Sequence, residues 1–325
     1  MSETLWDVII IGAGPAGLAA ALYTARDRYK TQVLEKFMAG GQISTTDRIE
    51  NYPGIDRIDG SGLIERMQRQ VEAFGARITP ASEVSSLTRR PDGLIVVSCG
   101  AAPYVARAVI LAVGSSFRKL GVPGEEEFRN AGTGVSYCGT CDAPFFKGKD
   151  VVTVGGGNTA IEETLHLTKF GRKVTLVHRR DEFRASKVLV EELLAKTREP
   201  NSNLVIRYHS VVTAIQGKGK VQSTLLKDVQ TGREETYPCE GVFIFVGTVP
   251  STGFLQGFLD LTHDGFIPCD PATLRTRIPG VFVAGDCRVG AAMQLATAVG
   301  DGVQAAILLK EYFRDPGWWN TASHG

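Results

Sequence analysis

Cys138 and Cys141 are separated by two residues in the stretch GVSYCGTCDAPFF, and Asp142 follows at once. Thiols at this spacing can hold a metal, staple a loop, or pass an electron pair as a dithiol–disulfide couple. A four-ligand zinc site needs a second Cys/His pair. The chain has 6 Cys and 5 His, and they form no tidy second pair in sequence. A structural staple is disfavoured in a reducing compartment. Electron transfer makes use of the whole stretch. The thiolate is the attacking species, Cys-x-x-Cys placement lowers a thiol pKa, and a neighbouring carboxyl such as Asp142 can carry the proton. Cys99, Cys239, Cys269 and Cys287 are scattered and read as single buried thiols.

Two further stretches carry chemistry in their glycines. DVIIIGAGPAGLAAALYTA begins at Asp7, with an apolar run leading into Gly12-x-Gly14-x-x-Gly17 and then an Ala/Leu-rich segment. A strand, a tight turn and a helix in that order build a dinucleotide site. The first glycine permits the turn, the second lets the backbone approach a pyrophosphate, and the third lets helix and strand pack closely. The phosphate then lies at free N–H groups of the helix start. DVVTVGGGNTAIEE, from Asp150, repeats the pattern with Gly155, Gly157 and Ala160 in the three positions.

The residue that reads the ribose differs between the copies. The next strand of the first unit ends at Glu35, and counting on equally in the second reaches His178, within HRRDEFR. A carboxylate accepts from a plain ribose diol and repels a 2′-phosphate, whereas guanidinium groups pair with one. The first unit therefore suits FAD or NAD. The second, with His178, Arg179, Arg180 and Arg184, suits NADPH.

These sites require elements to position them. Residues 93–98 and 104–114 read as strands, 182–196 as a helix, 203–214, 221–228 and 240–247 as strands, and 39–54 as a long polar loop. The run from 280 to 313 gives a buried strand, Gly285-Asp286 and a long helix, and it needs a sheet to join. The economical arrangement is an α/β protein of two Rossmann-like dinucleotide-binding domains, the second inserted into the first. Residues 1–117 and 248–325 form one domain and 118–247 the other, joined through the Gly/Pro-bearing segments 117–127 and 248–253.

Bulk properties narrow the partners. A net charge of +1 gives no general attraction to nucleic acid or anionic membrane, and no apolar run approaches a bilayer span. The start, MSETLWDVIIIGAG, lacks a basic region and a small-residue cleavage site, so a cytoplasmic location is expected.

Two dinucleotide turns, YCGTCD between them, GGGNTAIEE, HRRDEFR and VFVAGD occur in that order, with GGQ and ENYPG in the first domain. In this the chain resembles the low-molecular-weight thioredoxin reductases, from Asp7 to about Phe313. The resemblance implies FAD on the first unit, NADPH on the second, thioredoxin as partner and a homodimer. It implies that Gly12, Gly14, Gly17 and Glu35 hold the ADP half of FAD. Gln42 and Asn51 would lie near the flavin, Asp286 would bond the ribitol, and Gln294 would meet the pyrimidine edge of the ring. Cys141 would face the flavin, Cys138 would attack the partner disulfide and Asp142 would be the acid/base. It also implies rotation of the inserted domain, for which Gly121, Gly124 and Gly247 are the expected hinges.

The chain departs from the family in two places. Met293-Gln294 stands where the family usually shows Arg-Gln, and FRDPGWWNTASHG follows the last helix. Trp318 and Trp319 are either a patch on an apolar surface or a disordered end, or an aromatic lid stacked on a flavin, the chain's own or its partner's. The lid reading opens an alternative, a ferredoxin-dependent flavin thioredoxin reductase. A flavin redox sensor without turnover is a further alternative.

Overall fold

The computed structural model describes residues 4–46, 49–100 and 102–320. Residues 47–48 of the expected polar loop and 321–325 of the C-terminal tail lie outside them. The chain divides into two compact units, Met1–Ser116 with Val249–Gly325, and Phe117–Thr248.

The first unit opens with β1 (Leu5–Ile11), α1 (Pro15–Arg26), β2 (Thr31–Leu34), a 3-10 turn at Gly41–Thr45 and α2 (Gly60–Ala73). It continues through β3 (Arg77–Thr79), β4 (Val84–Arg89), β5 (Ile95–Cys99) and β6 (Tyr104–Leu111). β3, β2, β1 and β6 lie side by side, all parallel. Strand alternation sorts the side chains of β1 into two cores. Val8 and Ile10 join the one under α1 and α2, Ile9 and Ile11 the one under the β4–β5 hairpin.

Two short connecting strands, β7 (Ser115–Phe117) and β16 (Thr248–Pro250), carry the chain out of the first unit and back. Between them lie α3 (Glu125–Asn130), β8 (Val135–Ser136), α4 (Gly139–Asp142), β9 (Asp150–Gly155), α5 (Asn158–Leu167) and β10 (Lys173–Val177). α6 (Lys187–Arg198), β11 (Leu204–Arg207), β12 (Ser210–Gly217), β13 (Val221–Asp228), β14 (Glu234–Pro238) and β15 (Gly241–Phe245) follow. The central sheet is parallel, in the order β11-β10-β9-β15-β8. Phe243 and Phe245 of β15 face the core under α5 and α6, while Val242 and Ile244 face the antiparallel β12–β13–β14 sheet.

The chain then returns to the first unit through β17 (Val281–Val283) and α7 (Leu295–Arg314). β17 pairs in parallel with the second half of β6, beside the stretch where β5 pairs with the first half. The small residues of α1 let α7 approach closely. A Cβ on Gly302 would stand 2.0 Å from the Ala16 carbonyl oxygen. No described helix is long and apolar enough to cross a membrane.

Two elements differ from the sequence expectation. The helix expected from 182 begins at Lys187, because Arg184 N–H is held by the Gly156 carbonyl and Ser186 N–H by Asn158 Oδ1. The strand expected over 203–214 is broken, with His209 at a φ of 51° between β11 and β12.

Candidate active site

In the first unit, the turn after β1 is drawn tight. A Cβ on Gly17 would stand 1.9 Å from the Gly12 carbonyl oxygen, so only glycine lets α1 start there. A Cβ on Gly14 would meet nothing within 4 Å, which leaves one side of the turn open beside the helix start. Gly14 caps α1 without a side chain, so the first N–H groups of the helix face that open side unmet by a cap. This is a cradle that fits a pyrophosphate. Glu35 fastens it, its Oε2 accepting the Ala13 N–H at 2.7 Å and its Oε1 the Phe37 N–H at 3.0 Å.

Three of the residues assigned to the flavin region, Gln42, Asn51 and Gln294, are brought together through polar contacts. Gln42 donates to the Ser115 carbonyl, and Ser115 Oγ lies 3.8 Å from Met293 Sδ. Asn51 Nδ2 lies 3.4 Å from Gln294 Oε1, the residue after Met293. Asp286 follows β17. Burial pushes its carboxyl up to about 6, the negative charge of Asp301 adding to this and Arg288 opposing it. The sequence reading missed what holds this loop. Buried Asp301 accepts the Gly285 N–H at 2.9 Å and the Arg288 guanidinium at 2.6 and 3.0 Å.

The second turn is looser. Ala160 takes the third position, and a Cβ on Gly155 would stand 2.5 Å from the Ala160 methyl. Gly157, like Gly14, has open space where its Cβ would be. His178 is turned inward. Its Nδ1 lies 2.8 Å from the Gly155 carbonyl oxygen and its Nε2 2.9 Å from that of Glu182, and its ring stacks on Phe183 at 4.7 Å. Both nitrogens thus face backbone carbonyls, where the reading of HRRDEFR expected a ribose reader. Arg179, Arg180 and Arg184 remain exposed at its rim.

Cys138 and Cys141 form a disulfide at the start of α4. Cys138 Sγ accepts the Cys141 N–H at 3.1 Å. Ser136, again unseen in the sequence reading, accepts the Cys138 N–H at 3.1 Å and donates to Asp142 Oδ2 at 2.6 Å. Tyr137, one residue before the pair, donates to Glu125 at 2.7 Å and stacks on Phe117 at 5.1 Å. Desolvation, then the Glu125 hydrogen bond, raises its phenol above the ordinary range. The buried Glu125 carboxylate also accepts the N–H groups of Leu120, Gly121 and Val122. Gly124 is pinned too, since a Cβ there would stand 2.0 Å from the Ile215 carbonyl oxygen. Gly121 and Gly124 are thus held by contacts within the second unit.

Trp319 is buried in the core of the first unit, and Trp318 packs half-buried against it. Trp319 Nε1 donates to the Thr276 carbonyl at 3.2 Å, and its ring meets Phe282 at 4.9 Å and Tyr312 at 5.2 Å. Arg275 lies 4.6 Å from the Trp318 ring and donates to the carbonyls of both residues. Thr276 pairs with Val281 at the amino end of β17, whereas Gly285 and Asp286 follow its carboxyl end. The indoles therefore sit at the opposite end of that strand from this chain's own nucleotide loops, packed on its apolar surface.

Residues 6–302 match the family described as pyridine nucleotide-disulphide oxidoreductase. The thioredoxin reductase of Treponema pallidum is 43% identical over 311 residues, covering 95% of this chain and 98% of that one. That of Bacillus subtilis is 40% identical over 316 residues, covering 96% of each. The crystal structure of thioredoxin reductase from Streptococcus pyogenes superposes with a TM-score of 0.88 at 40% identity, over 96% of this chain and 99% of that one. With two dinucleotide turns, a disulfide at the Cys-x-x-Cys between them and this likeness over nearly its whole length, the chain belongs to the low-molecular-weight thioredoxin reductase family.

Proposed function

We propose that the protein is an FAD-dependent thioredoxin reductase with NADPH as electron donor. The observation that carries the reading is the Cys138–Cys141 disulfide on the unit that bears the arginine rim. The bound cofactors supply hydride acceptance and delivery of an electron pair to this disulfide. The residues of the chain do the rest. The Gly14 turn and the first N–H groups of α1 receive the FAD pyrophosphate, and Glu35 reads its ribose. Asp286, its carboxyl pKa raised by burial, presents a carboxyl to the ribitol. Gln42, Asn51 and Gln294 border the ring. Arg179, Arg180 and Arg184 receive the 2′-phosphate of NADPH, with His178 holding the loop behind them.

Once the pair is reduced, the Cys138 thiolate attacks one sulfur of the thioredoxin disulfide and releases the other as a thiolate. The Cys141 thiolate then attacks Cys138 in the mixed disulfide. The pair closes again and thioredoxin leaves with both electrons. The Cys141 N–H pointing at Cys138 Sγ favours a thiolate there, and Asp142, oriented by Ser136, takes or returns the proton.

The reading is tested by anaerobic bleaching of the flavin band near ~450 nm, with NADPH added to one sample and reduced ferredoxin to another. The expected result is fast bleaching by NADPH, followed by thioredoxin-dependent oxidation. Bleaching by ferredoxin alone overturns the donor assignment. A colourless protein that binds no FAD overturns the whole reading.

A further inference from the structure

Glu163 lies on α5, in line with Ala160, Thr164 and Leu167, the residues that turn this helix toward its sheet. A carboxylate beside such a stripe is costly unless it is hydrogen-bonded. Glu163 is bonded to the redox turn itself. Its Oε2 accepts the Thr140 N–H at 2.7 Å and its Oε1 accepts the Thr140 hydroxyl at 2.9 Å. Both oxygens are thus bound to one of the two residues between the cysteines. The other is Gly139, where a Cβ would stand 2.2 Å from Glu163 Oε2. A side chain at Gly139 would have to displace the Glu163 carboxylate.

We propose that Glu163 is a positioning residue that fixes the Cys138–Cys141 turn and keeps the pair strongly reducing. The proposal rests on the functional reading above. A fixed negative charge beside the pair disfavours thiolates. Whatever stabilises the reduced, thiolate form of a dithiol makes its disulfide a better oxidant, and whatever destabilises that form makes the dithiol a better donor. On this turn the Cys141 N–H pulls toward the thiolate while Glu163 pushes against it. Asp142 is the other carboxylate on the turn, and Ser136 holds it to the Cys138 side.

The test equilibrates the full-length enzyme anaerobically with glutathione. One protein disulfide and two glutathione thiols exchange for a protein dithiol and one glutathione disulfide. Acid quenching, alkylation and mass measurement then give the dithiol fraction. Glu163→Gln keeps the shape, with an amide that can accept from the Thr140 N–H, but removes the charge. The expected result is a shift of about tenfold in the equilibrium constant toward dithiol, about 30 mV for this two-electron couple. Glu163→Ala should shift it at least as far, while Thr140→Val, which loses only the hydroxyl bond, should stay within about twofold of wild type. A Glu163→Gln constant within twofold of wild type overturns the proposal. A lowered melting temperature with an unchanged constant would reduce Glu163 to a purely structural residue. The equilibrium needs neither NADPH nor thioredoxin, so failure of the functional reading shows up separately, as wild-type protein that does not reduce thioredoxin.

Discussion

The two nucleotide turns share a strand, an open second glycine and a helix, yet they are closed by different means. In the first, Gly17 lets α1 press against the Gly12 carbonyl, and Glu35 ties the turn with a charged acceptor. In the second, the Ala160 methyl holds α5 off, and an imidazole bridges two carbonyls. At both places the residue that a sequence reading assigns to the ribose also fastens its own loop. What distinguishes the turns toward a ligand is the charge left over at the rim, one carboxylate in the first and three guanidinium groups in the second.

The largest effect should come from exchanging the tightness of the two turns. Gly17→Ala puts a Cβ against backbone that cannot retreat, and it should cost more than about 3 kcal/mol and abolish flavin retention. The reciprocal Ala160→Gly should cost only about 1 kcal/mol. Urea midpoints and flavin absorbance check the pair, and equal costs would break the contrast. Next in size is the rim. Losing charge-assisted bonds worth about 1.5–3 kcal/mol should raise the KM for NADPH by roughly 10–150-fold in an Arg179→Ala, Arg180→Ala double variant. The KM for NADH should be unchanged.

His178 sharpens the comparison. If it fastens the loop as its hydrogen bonds indicate, His178→Ala should raise the KM for NADPH and NADH alike, by about fivefold to tenfold, with a loss of about 1–3 kcal/mol in stability. A selective loss of NADPH would return the ring to the phosphate. A pH slope should come from the first unit. Asp286 has its folded pKa raised to about 6 from 3.8, by burial first and Asp301 second. A group whose pKa is raised on folding contributes stability that is fully present below its unfolded pKa and lost as pH rises through its folded one. Flavin-free protein should therefore lose stability between about pH 4 and pH 6. Asp286→Asn should flatten that part of the curve in denaturant midpoints followed by circular dichroism.

Much of this was legible in the chain, for local reasons. The glycine turns, the apolar runs and the Cys pair each announce themselves within twenty or so residues. What escaped depends on partners far along the sequence. Glu163 meets Thr140 from 23 residues away, and Trp319 meets Thr276 from 43. The sequence did hold one usable signal for the first kind. Glu163 and Asp301 are acidic residues set at or beside the buried faces of their helices, where a charge needs a reason. His178 gave no such signal. A histidine that bridges two carbonyls looks the same in sequence as one that meets a phosphate. The Trp tail was open because either reading requires only aromatics near the end of the chain, and the sequence did not show Arg275 donating to both of their carbonyls.

The tryptophans have a use of their own. All three, Trp6, Trp318 and Trp319, belong to the first unit, while the second carries only Tyr137, Tyr208 and Tyr237 among the two ring types that dominate emission. Indole fluorescence is therefore a built-in optical reporter of one unit, silent to the melting of the other. Set against an ellipticity curve that sees both, it would measure without any label how far the two halves of this reductase unfold together.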